Sequence, residues 1–288
     1  MRAAATALES CSRFVSEPCD LREVWKNYNE SHVLHRTVDH ADHYQLHMPP
    51  RHGTGHVKLM EIGVQSGGSA RTWKQWYGER LYYVGVDIEP QCMRSQSLDE
   101  GIFVEIGSQV NETFLMEVCN KHGPFDVIID DGAHRPEMII ASLRALWPHA
   151  QCMNNKSLYA IEDMQTMVMP KYTESPRDMY DIVGEAFWSM HHHWAYVSPY
   201  TGSMAKYGAG LTQHPVFRDL VSAVFAYDSI AFFQRGRKPK PRELQLGRDA
   251  FGYGVGHPSK QSQTQKQLKA SKRHVLGGPS GSTAVEPT

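Results

Sequence analysis

Three residues that could do chemistry follow a short apolar run in the stretch FDVIIDDGAH. Asp130 and Asp131 supply carboxylates. His134 supplies an imidazole, which titrates near neutral pH and can act as a general base. A second apolar run, SLYAI, ends in another acidic pair, Glu162 and Asp163. The two runs therefore place four acids and a base directly after two segments that read as buried strands.

These acids suggest a metal site if the two runs are neighbouring strands of a parallel sheet. Asp131, Glu162 and Asp163 would then lie within several ångströms of one another and would repel unless protonated or neutralised by a cation. Carboxylate oxygens favour a hard ion, Mg²⁺ first, with Ca²⁺ or Mn²⁺ as alternatives. The acids could instead cap the helices that follow them, and this alternative stays open at the level of the residues.

A glycine-rich turn, EIGVQSGGS, follows an earlier apolar run. Gly63, Gly67 and Gly68 would let the backbone approach a ligand, and the next helix would offer its N-terminus to an anion. The spacing is not that of the dinucleotide fingerprint G-x-G-x-x-G, so a purely structural turn fits equally well. Glu61, at the end of the run, is less readily explained as a turn residue.

Asp87 closes the next apolar run, in VGVDIEP, 24 residues after Gly63. A carboxylate at the end of a second parallel strand can accept hydrogen bonds from both hydroxyls of an adenosine ribose. The alternative is a helix cap or a solvated carboxylate. Together with the glycine turn, the position favours the ribose.

The elements that must carry these residues alternate between strands and helices, which predicts a doubly wound α/β fold with a mostly parallel sheet. One helix is predicted to end at Gly78, and further helices are predicted to cover residues 112–123, 136–150 and 176–193. The predicted strands cover residues 57–63, 81–88, 101–107, 125–132 and 157–164, with late strands at 194–200 and 228–236.

Composition divides the chain of 288 residues into three parts. Residues 1–50 are predicted to be helical or irregular, residues 51–236 to form the α/β domain, and residues 237–288 to be a disordered basic tail. From Arg235 onward the net charge is +8, whereas the preceding residues carry −9. The tail lacks interleaved aromatics, so we expect it to be solvated and do not expect a nucleic-acid partner.

The cellular setting is inferred from what the sequence lacks. No apolar run approaches the roughly 20 residues that cross a bilayer, and the start of the chain lacks the apolar core of a secretory signal. The five cysteines show neither a disulfide framework nor zinc-ligand spacing, which predicts free thiols in a reducing compartment. We expect a cytoplasmic protein without a membrane partner, with organelle targeting and homo-oligomerisation left open.

The motifs EIGVQSGGS, VGVDIEP, IFVEIGSQ, PFDVIIDDGAHRPE and YAIEDM resemble those of S-adenosylmethionine-dependent class I methyltransferases. More narrowly, the chain is similar to the metal-dependent sugar O-methyltransferases of macrolide biosynthesis and to their rhamnosyl and cephalosporin hydroxylase-like relatives. The resemblance covers about residues 57–165. It implies a Rossmann-like fold, S-adenosylmethionine and Mg²⁺ as cofactors, and a sugar or glycoside-like small molecule as the acceptor.

The resemblance also implies where the cofactor lies. Glu61 and Gly63 would line its methionine end, and Ser69 would reach its carboxylate. Asp87 would hold the ribose, while Ser108 and Gln109 would lie beside the adenine. This reading places one end of the cofactor at the glycine turn and the other after the third strand.

For the reaction itself, the resemblance places Asp130 near the reacting end of the cofactor. Asp131, Glu162 and Asp163 would be the Mg²⁺ ligands, and His134 the catalytic base. The leading hypothesis is Mg²⁺-assisted O-methylation of a hydroxyl. The alternatives are a methyltransferase-fold scaffold without catalysis and, disfavoured by the missing fingerprint, an NAD-dependent oxidoreductase.

The chain departs from the family pattern at four places. Ala133 stands where the family usually has Ser, and Ser108 where it usually has Asp, which weakens the expectation for the adenine contact. MNNKS replaces a Gly-Gly turn before the fifth strand, where Asn can adopt the left-handed conformation in place of Gly. After Asp163 the segment MQTMVMPKY is unlike the family, so the identity of the acceptor does not carry over.

Overall fold

A seven-stranded sheet forms the centre of the computed structural model, which describes residues 20–172, 179–191, 216–217 and 220–237. The strand order is β3-β2-β1-β4-β5-β7-β6. The first five strands in that order pair in parallel, and β7 pairs antiparallel with both β5 and β6. The strands are β1 Val57–Ile62, β2 Leu81–Asp87, β3 Ile102–Ile106, β4 Phe125–Asp130, β5 Met153–Ile161, β6 Val221–Tyr227 and β7 Ile230–Arg235.

Helices cover both faces of this sheet, which confirms the predicted doubly wound α/β architecture. They are α1 Leu21–Lys26, α2 His40–His47, α3 Gly68–Tyr77, α4 Glu112–His122, α5 Pro136–Leu146 and α6 Met179–Met190. One core joins α4, α5 and α6 to the sheet through residues such as Leu115, Leu143 and Ile182. The other core joins α1, α2 and α3 to the opposite face. Both faces of the parallel strands are thus buried, as such sheets require.

The N-terminal helices pack directly on the sheet. Tyr44 of α2 is fully buried, and its ring makes edge contacts with Trp73 of α3 and Phe232 of β7, with ring centroids 5.3 Å apart in each case. Trp25 of α1 packs against Tyr44 at 6.1 Å. This aromatic packing holds the loop between α1 and α2, residues 27–39, above the carboxyl ends of the strands.

Two details of the sheet differ from the prediction. β6 was not predicted, and β5 begins at Met153, the first residue of the MNNKS stretch, whereas the prediction began the strand at Ser157. The left-handed residue in that stretch is Lys156, with φ of 79°, and neither asparagine adopts a positive φ. The predicted strand at 194–200 and the predicted tail beyond Arg237 lie outside the described residues.

One prediction about the cysteines was wrong. Cys119, near the end of α4, and Cys152, just before β5, form a disulfide with their Cα atoms 4.8 Å apart. The pair meets because β4 begins beside it, where the Phe125 amide donates to the Cys152 carbonyl at 2.8 Å. Cys92 is a buried free thiol. Every helix in the described part of the chain is too short or too polar to cross a lipid bilayer.

Candidate functional site

Two adjoining cavities lie at the carboxyl ends of the parallel strands. The chain adds β2 and β3 on one side of β1 and then β4 and β5 on its other side, so the strand order reverses next to β1. Ligands bind at such a reversal in open α/β sheets. The larger cavity has a volume of about 670 Å³ and the smaller about 170 Å³, and both are lined by Gly63, Asp87 and Gly132. The predicted site residues can therefore be assigned to one cavity, to the other, or to neither.

Gly63 lies where β1 and β4 come closest to the larger cavity. Its φ is 98°, and a Cβ there would overlap the carbonyl group of Asp131, coming 2.8 Å from the carbonyl carbon. The Gly63 amide donates to Val86 at 2.8 Å, and the Asp131 amide donates to Ile62 at 2.9 Å. Only glycine fits this combination of left-handed backbone and close approach.

Asp87 sits at the rim shared by the two cavities. Its Oδ2 accepts hydrogen bonds from the amides of Val64 at 2.9 Å and Gln65 at 3.0 Å. Its Oδ1 accepts from the amide of Glu89 at 2.9 Å. The carboxylate thus fixes the glycine turn to the end of β2, and it stays only half-buried and next to both cavities.

Ser108 and Gln109 line the smaller cavity, together with Ala133. The Gln109 Oε1 accepts from the Ala133 amide at 2.9 Å, and its Nε2 donates to Asp130 at 3.2 Å. Gln109 therefore ties the loop after β4 to the wall of the smaller cavity. Both residues that were predicted to flank an adenine share this cavity.

Asp130 lines neither cavity, unlike the prediction that placed it beside the cofactor. Its side chain is buried on the α5 face of the sheet, where it accepts hydrogen bonds from Ser142 at 2.5 Å and Tyr159 at 3.0 Å. Burial raises its pKa to about 6, although its hydrogen bonds act in the opposite direction. Asp130 meets the cavity wall through Gln109 and through the backbone of Gly132.

Glu61 and Ser69 occupy the floor of the larger cavity. Glu61 is fully buried and accepts hydrogen bonds from Ser69 at 2.8 Å and Tyr83 at 2.6 Å. The guanidinium of Arg36, from the loop between α1 and α2, forms an ion pair with it. Burial nevertheless leaves the pKa of Glu61 above its ordinary value.

Asp131, His134 and Asp163 form a cluster that could hold a metal ion. One ligand atom from each lies within 4.8 Å of the other two, and all three side chains are partly exposed to the larger cavity. Asp163 reaches this position in a left-handed conformation with φ of 54°. Two carboxylates and an imidazole suit a divalent ion, and the carboxylates suit Mg²⁺ in particular.

Glu162 lines the same cavity but lies outside that cluster. Its Oε1 accepts from Tyr44 at 2.5 Å and pairs with Arg36, while its Oε2 faces His40 Nδ1 at 3.5 Å. Burial raises the pKa of Glu162, but Arg36 and the two α2 side chains outweigh burial and lower it to about 2. Of the three predicted metal ligands, the structure brings Asp131 and Asp163 together and turns Glu162 toward the N-terminal segment.

His134 faces the cavity in a left-handed conformation with φ of 55°. Its Nε2 lies 3.5 Å from Asp163, and its Nδ1 is buried with no hydrogen-bond partner among the described residues. Burial lowers the pKa of His134, with the carboxylates of Asp163 and Glu162 acting in the opposite direction. A neutral imidazole beside the predicted metal ligands can accept a proton.

Three site residues escaped the sequence prediction. Arg36, His40 and Tyr44 come from the N-terminal segment and all contact Glu162. His40 and Tyr44 are four residues apart and lie on one side of α2, and this spacing is the signal that could have found them, whereas Arg36 lies in the loop before that helix. The segment assigned to an irregular N-terminus is therefore one wall of the site.

Curated relatives of known activity match the chain over part of their length. It is 33% identical over 181 residues to demethylmacrocin O-methyltransferase of Streptomyces fradiae, a match spanning 59% of this chain and 42% of that enzyme. It is 35% identical over 138 residues to mycinamicin VI 2''-O-methyltransferase of Micromonospora griseorubida, spanning 45% and 32%. The chain thus spans less than half the length of these relatives. No model of a known protein family matches it.

Solved structures of MycE, a methyltransferase of the mycinamycin biosynthetic pathway, share the fold. A MycE complex with Mg, SAH and mycinamycin VI superposes with a TM-score of 0.61 at 24% identity, covering 88% of this chain and 60% of MycE. A second crystal form with Mg and SAH gives 0.61 at 25% identity, covering 83% and 61%. The resemblance read from the motifs is confirmed: the fold is that of a Rossmann-like methyltransferase, and the curated relatives are sugar O-methyltransferases.

Proposed function

We propose that this protein transfers a methyl group from S-adenosylmethionine to a hydroxyl of a sugar or glycoside-like small molecule, with assistance from Mg²⁺. One observation carries the proposal. The larger cavity is lined both by the glycine turn and Asp87 and by the cluster of Asp131, His134 and Asp163. A cofactor, a divalent ion and a proton acceptor can therefore act on one substrate atom. The named activities of the curated relatives support the same reaction.

The cofactor fits the two cavities by the chemistry of their walls. The acidic floor at Glu61 suits the ammonium of its methionine end, with the Ser69 hydroxyl beside it. Asp87 suits the ribose, since its Oδ1 accepts one backbone amide, that of Glu89, and keeps a second lone pair for a hydroxyl. The smaller cavity, with Ser108 and Gln109, then receives the adenine.

Asp131 and Asp163 would hold the metal, with Glu162 as the third predicted ligand. Bound Mg²⁺ would polarise and orient the acceptor hydroxyl. Asp131 carries a half-buried carboxylate, and its partial burial and the charge of Glu162 raise its pKa well above its ordinary value. Such a group gains a partner when a cation arrives, which suits a metal site in a partly enclosed cavity.

His134 would take the proton of the acceptor hydroxyl. Its lowered pKa keeps the imidazole neutral, and Asp163 lies close enough to stabilise the imidazolium that forms. The walls of the cavity contribute by holding donor and acceptor in one geometry, which removes much of the entropic cost of their encounter.

Isothermal titration calorimetry with S-adenosylhomocysteine and Mg²⁺ tests this function. The wild-type protein should bind both. Asp131→Asn should lose Mg²⁺ binding while its affinity for S-adenosylhomocysteine, measured without Mg²⁺ in both proteins, stays within about tenfold of wild type, because the two ligands share few contacts. Asp99→Asn is the matched control, since Asp99 is exposed and lines neither cavity. Binding of NAD without S-adenosylhomocysteine would refute the proposal.

A further inference from the structure

Arg36 is a buried cation at the centre of the site. Its side chain is 3% exposed, and its guanidinium pairs with Glu61, Glu162 and, at 3.1 Å, Asp131. A terminal nitrogen also donates to Ser69 at 2.6 Å. One positive charge thus forms ion pairs with three carboxylates, which come from the ends of β1, β4 and β5.

The proposed cofactor and metal would bind the same carboxylates that the Arg36 guanidinium contacts. The ammonium of the methionine end would pair with Glu61, and the divalent ion would bind Asp131. Two like charges within a few ångströms in a partly buried site repel strongly. Arg36 in its present position therefore competes with both the cofactor and the metal.

The loop that carries Arg36 is docked on the glycine turn. The Val33 amide donates to Ser66 Oγ at 2.9 Å, and the Ser66 hydroxyl donates back to the Val33 carbonyl at 3.1 Å. A Cβ on Gly68 would lie 2.6 Å from the Leu34 nitrogen, so the loop backbone lies directly against the start of α3. Residues 32–37 thereby form a wall of the larger cavity.

We propose that Arg36 is a positioning residue that stands in for the ligands' positive charges, keeps the three carboxylates in place, and leaves them when cofactor and metal bind. This inference rests on the proposed function. Displacement of Arg36 frees both Glu61 and Asp131. Whichever ligand binds first therefore removes the positive charge that competes with the second ligand. Cofactor and Mg²⁺ therefore bind with positive cooperativity that passes through Arg36.

The cooperativity is reciprocal, since each ligand must tighten the other by the same factor. Typical couplings of this kind lie at roughly 5–150-fold. The experiment is calorimetric titration of Mg²⁺ with and without S-adenosylhomocysteine, and of S-adenosylhomocysteine with and without Mg²⁺. It is run on wild type, Arg36→Gln, Arg36→Lys and the control Arg22→Gln. Arg22 lies in the same N-terminal segment and pairs with Asp39 and Asp42, and none of these three residues lines either cavity.

Wild type and Arg22→Gln should show coupling in that range. In Arg36→Gln the coupling factor should fall to near one, and Mg²⁺ alone should bind more tightly than in wild type because its competitor is gone. Arg36→Lys should fall between the two, since an ammonium keeps the charge but cannot bridge three carboxylates. Retained coupling in Arg36→Gln overturns the proposal.

Two further measurements separate the explanations. If Arg36→Gln weakens S-adenosylhomocysteine but not 5'-methylthioadenosine, which lacks the amino-acid end, Arg36 is a cofactor ligand and the proposal fails. Hydrogen exchange on the wild-type protein needs no variant: amides of residues 32–37 should exchange faster when both ligands are bound, and unchanged or slower exchange refutes the displacement. Failure of wild type to bind S-adenosylhomocysteine would refute the proposed function instead, while the Mg²⁺ titrations of wild type and Arg36→Gln would still test Arg36.

Discussion

Gly63→Ala should damage both the stability of the fold and the binding of ligands. At φ of 98° a Cβ is strained by about 1–2 kcal/mol. Its overlap with the Asp131 carbonyl group adds about 1–3 kcal/mol of overpacking, because the neighbour is backbone and cannot rotate away. The sum is about 2–5 kcal/mol, a large part of the roughly 5–15 kcal/mol that stabilises a typical domain.

The matched control for this change is Gly55→Ala. Gly55 also has a positive φ, of 86°, but nothing lies within 4 Å of the position of its Cβ. Urea denaturation of the two variants should therefore show a loss at Gly63 larger by about 1–3 kcal/mol, the contribution of the overlap. The linear dependence of unfolding free energy on urea concentration gives each value.

Binding gives the second measurement on the same variants. The Cβ of Gly63→Ala would push the Asp131 backbone away from β1, and Asp131 belongs to the proposed metal site. Affinity for Mg²⁺ should fall by more than about tenfold in Gly63→Ala and stay unchanged in Gly55→Ala. Equal stability losses in the two variants, together with intact Mg²⁺ binding, would show that the close approach of β1 and β4 does not shape the site.

Three other perturbations have defined outcomes. His134→Asn, in which Asn tolerates the left-handed backbone, should keep S-adenosylhomocysteine binding but lower the methylation rate by about 10²–10⁴-fold; an undiminished rate removes His134 from the chemistry. Burial lowers the pKa of His47 below its ordinary 6.5, and the charge of His43 lowers it further. The stability that neutral His47 contributes is therefore fully present above pH 6.5 and is lost as the pH falls through the folded-state pKa. Denaturation curves between about pH 8 and pH 5 should show a smaller acid loss for His47→Gln than for wild type, and equal losses contradict the assignment. Without reductant, Cys152→Ser should lower the unfolding free energy by about 2–4 kcal/mol. Dithiothreitol should lower the wild-type value by the same amount, and a wild-type value that dithiothreitol does not change would show that the disulfide does not form in solution.

The sequence predicted the strands that carry the site because each ends in a polar cluster after a continuous apolar run. β1, β2, β3 and β4 lie within two residues of their predicted bounds. β6 was missed because its edge position leaves much of the strand half-buried, without the apolar continuity that marked the central strands. Local pattern therefore sufficed for the buried half of the sheet and failed at its antiparallel edge.

Adjacent acids in the motifs were harder to assign. Successive residues of an extended chain point to opposite faces of a sheet. Asp130 therefore enters the core beneath α5 while Asp131 reaches the cavity, although the resemblance placed Asp130 near the reacting end of the cofactor. The same alternation separates Glu162 from Asp163, and a left-handed turn at Asp163 completes the separation. A motif gives the residues but not the face that each one occupies.

Contacts between distant parts of the chain were beyond sequence reasoning. Arg36 reaches Glu61 across 25 positions and Glu162 across 126, and only the packing of α1 and α2 on the sheet brings them together. The partnership of Cys119 and Cys152 likewise depends on the return of the chain through β4. Neither has a local pattern that marks it.

The division of labour between Asp130 and Asp131 makes β4 sensitive to the number of residues it contains. An insertion of one residue between Val127 and Ile129 would shift the strand by one position and exchange the two faces. The aspartate now held by Ser142 and Tyr159 would be carried to the cavity, and an apolar side chain would take its buried place. A point substitution in this strand changes the contacts of one side chain, whereas a change in its length alters which side chains face the core and which face the cavity. We therefore expect natural or laboratory variants to tolerate insertions after Asp163 far more readily than within residues 125–131.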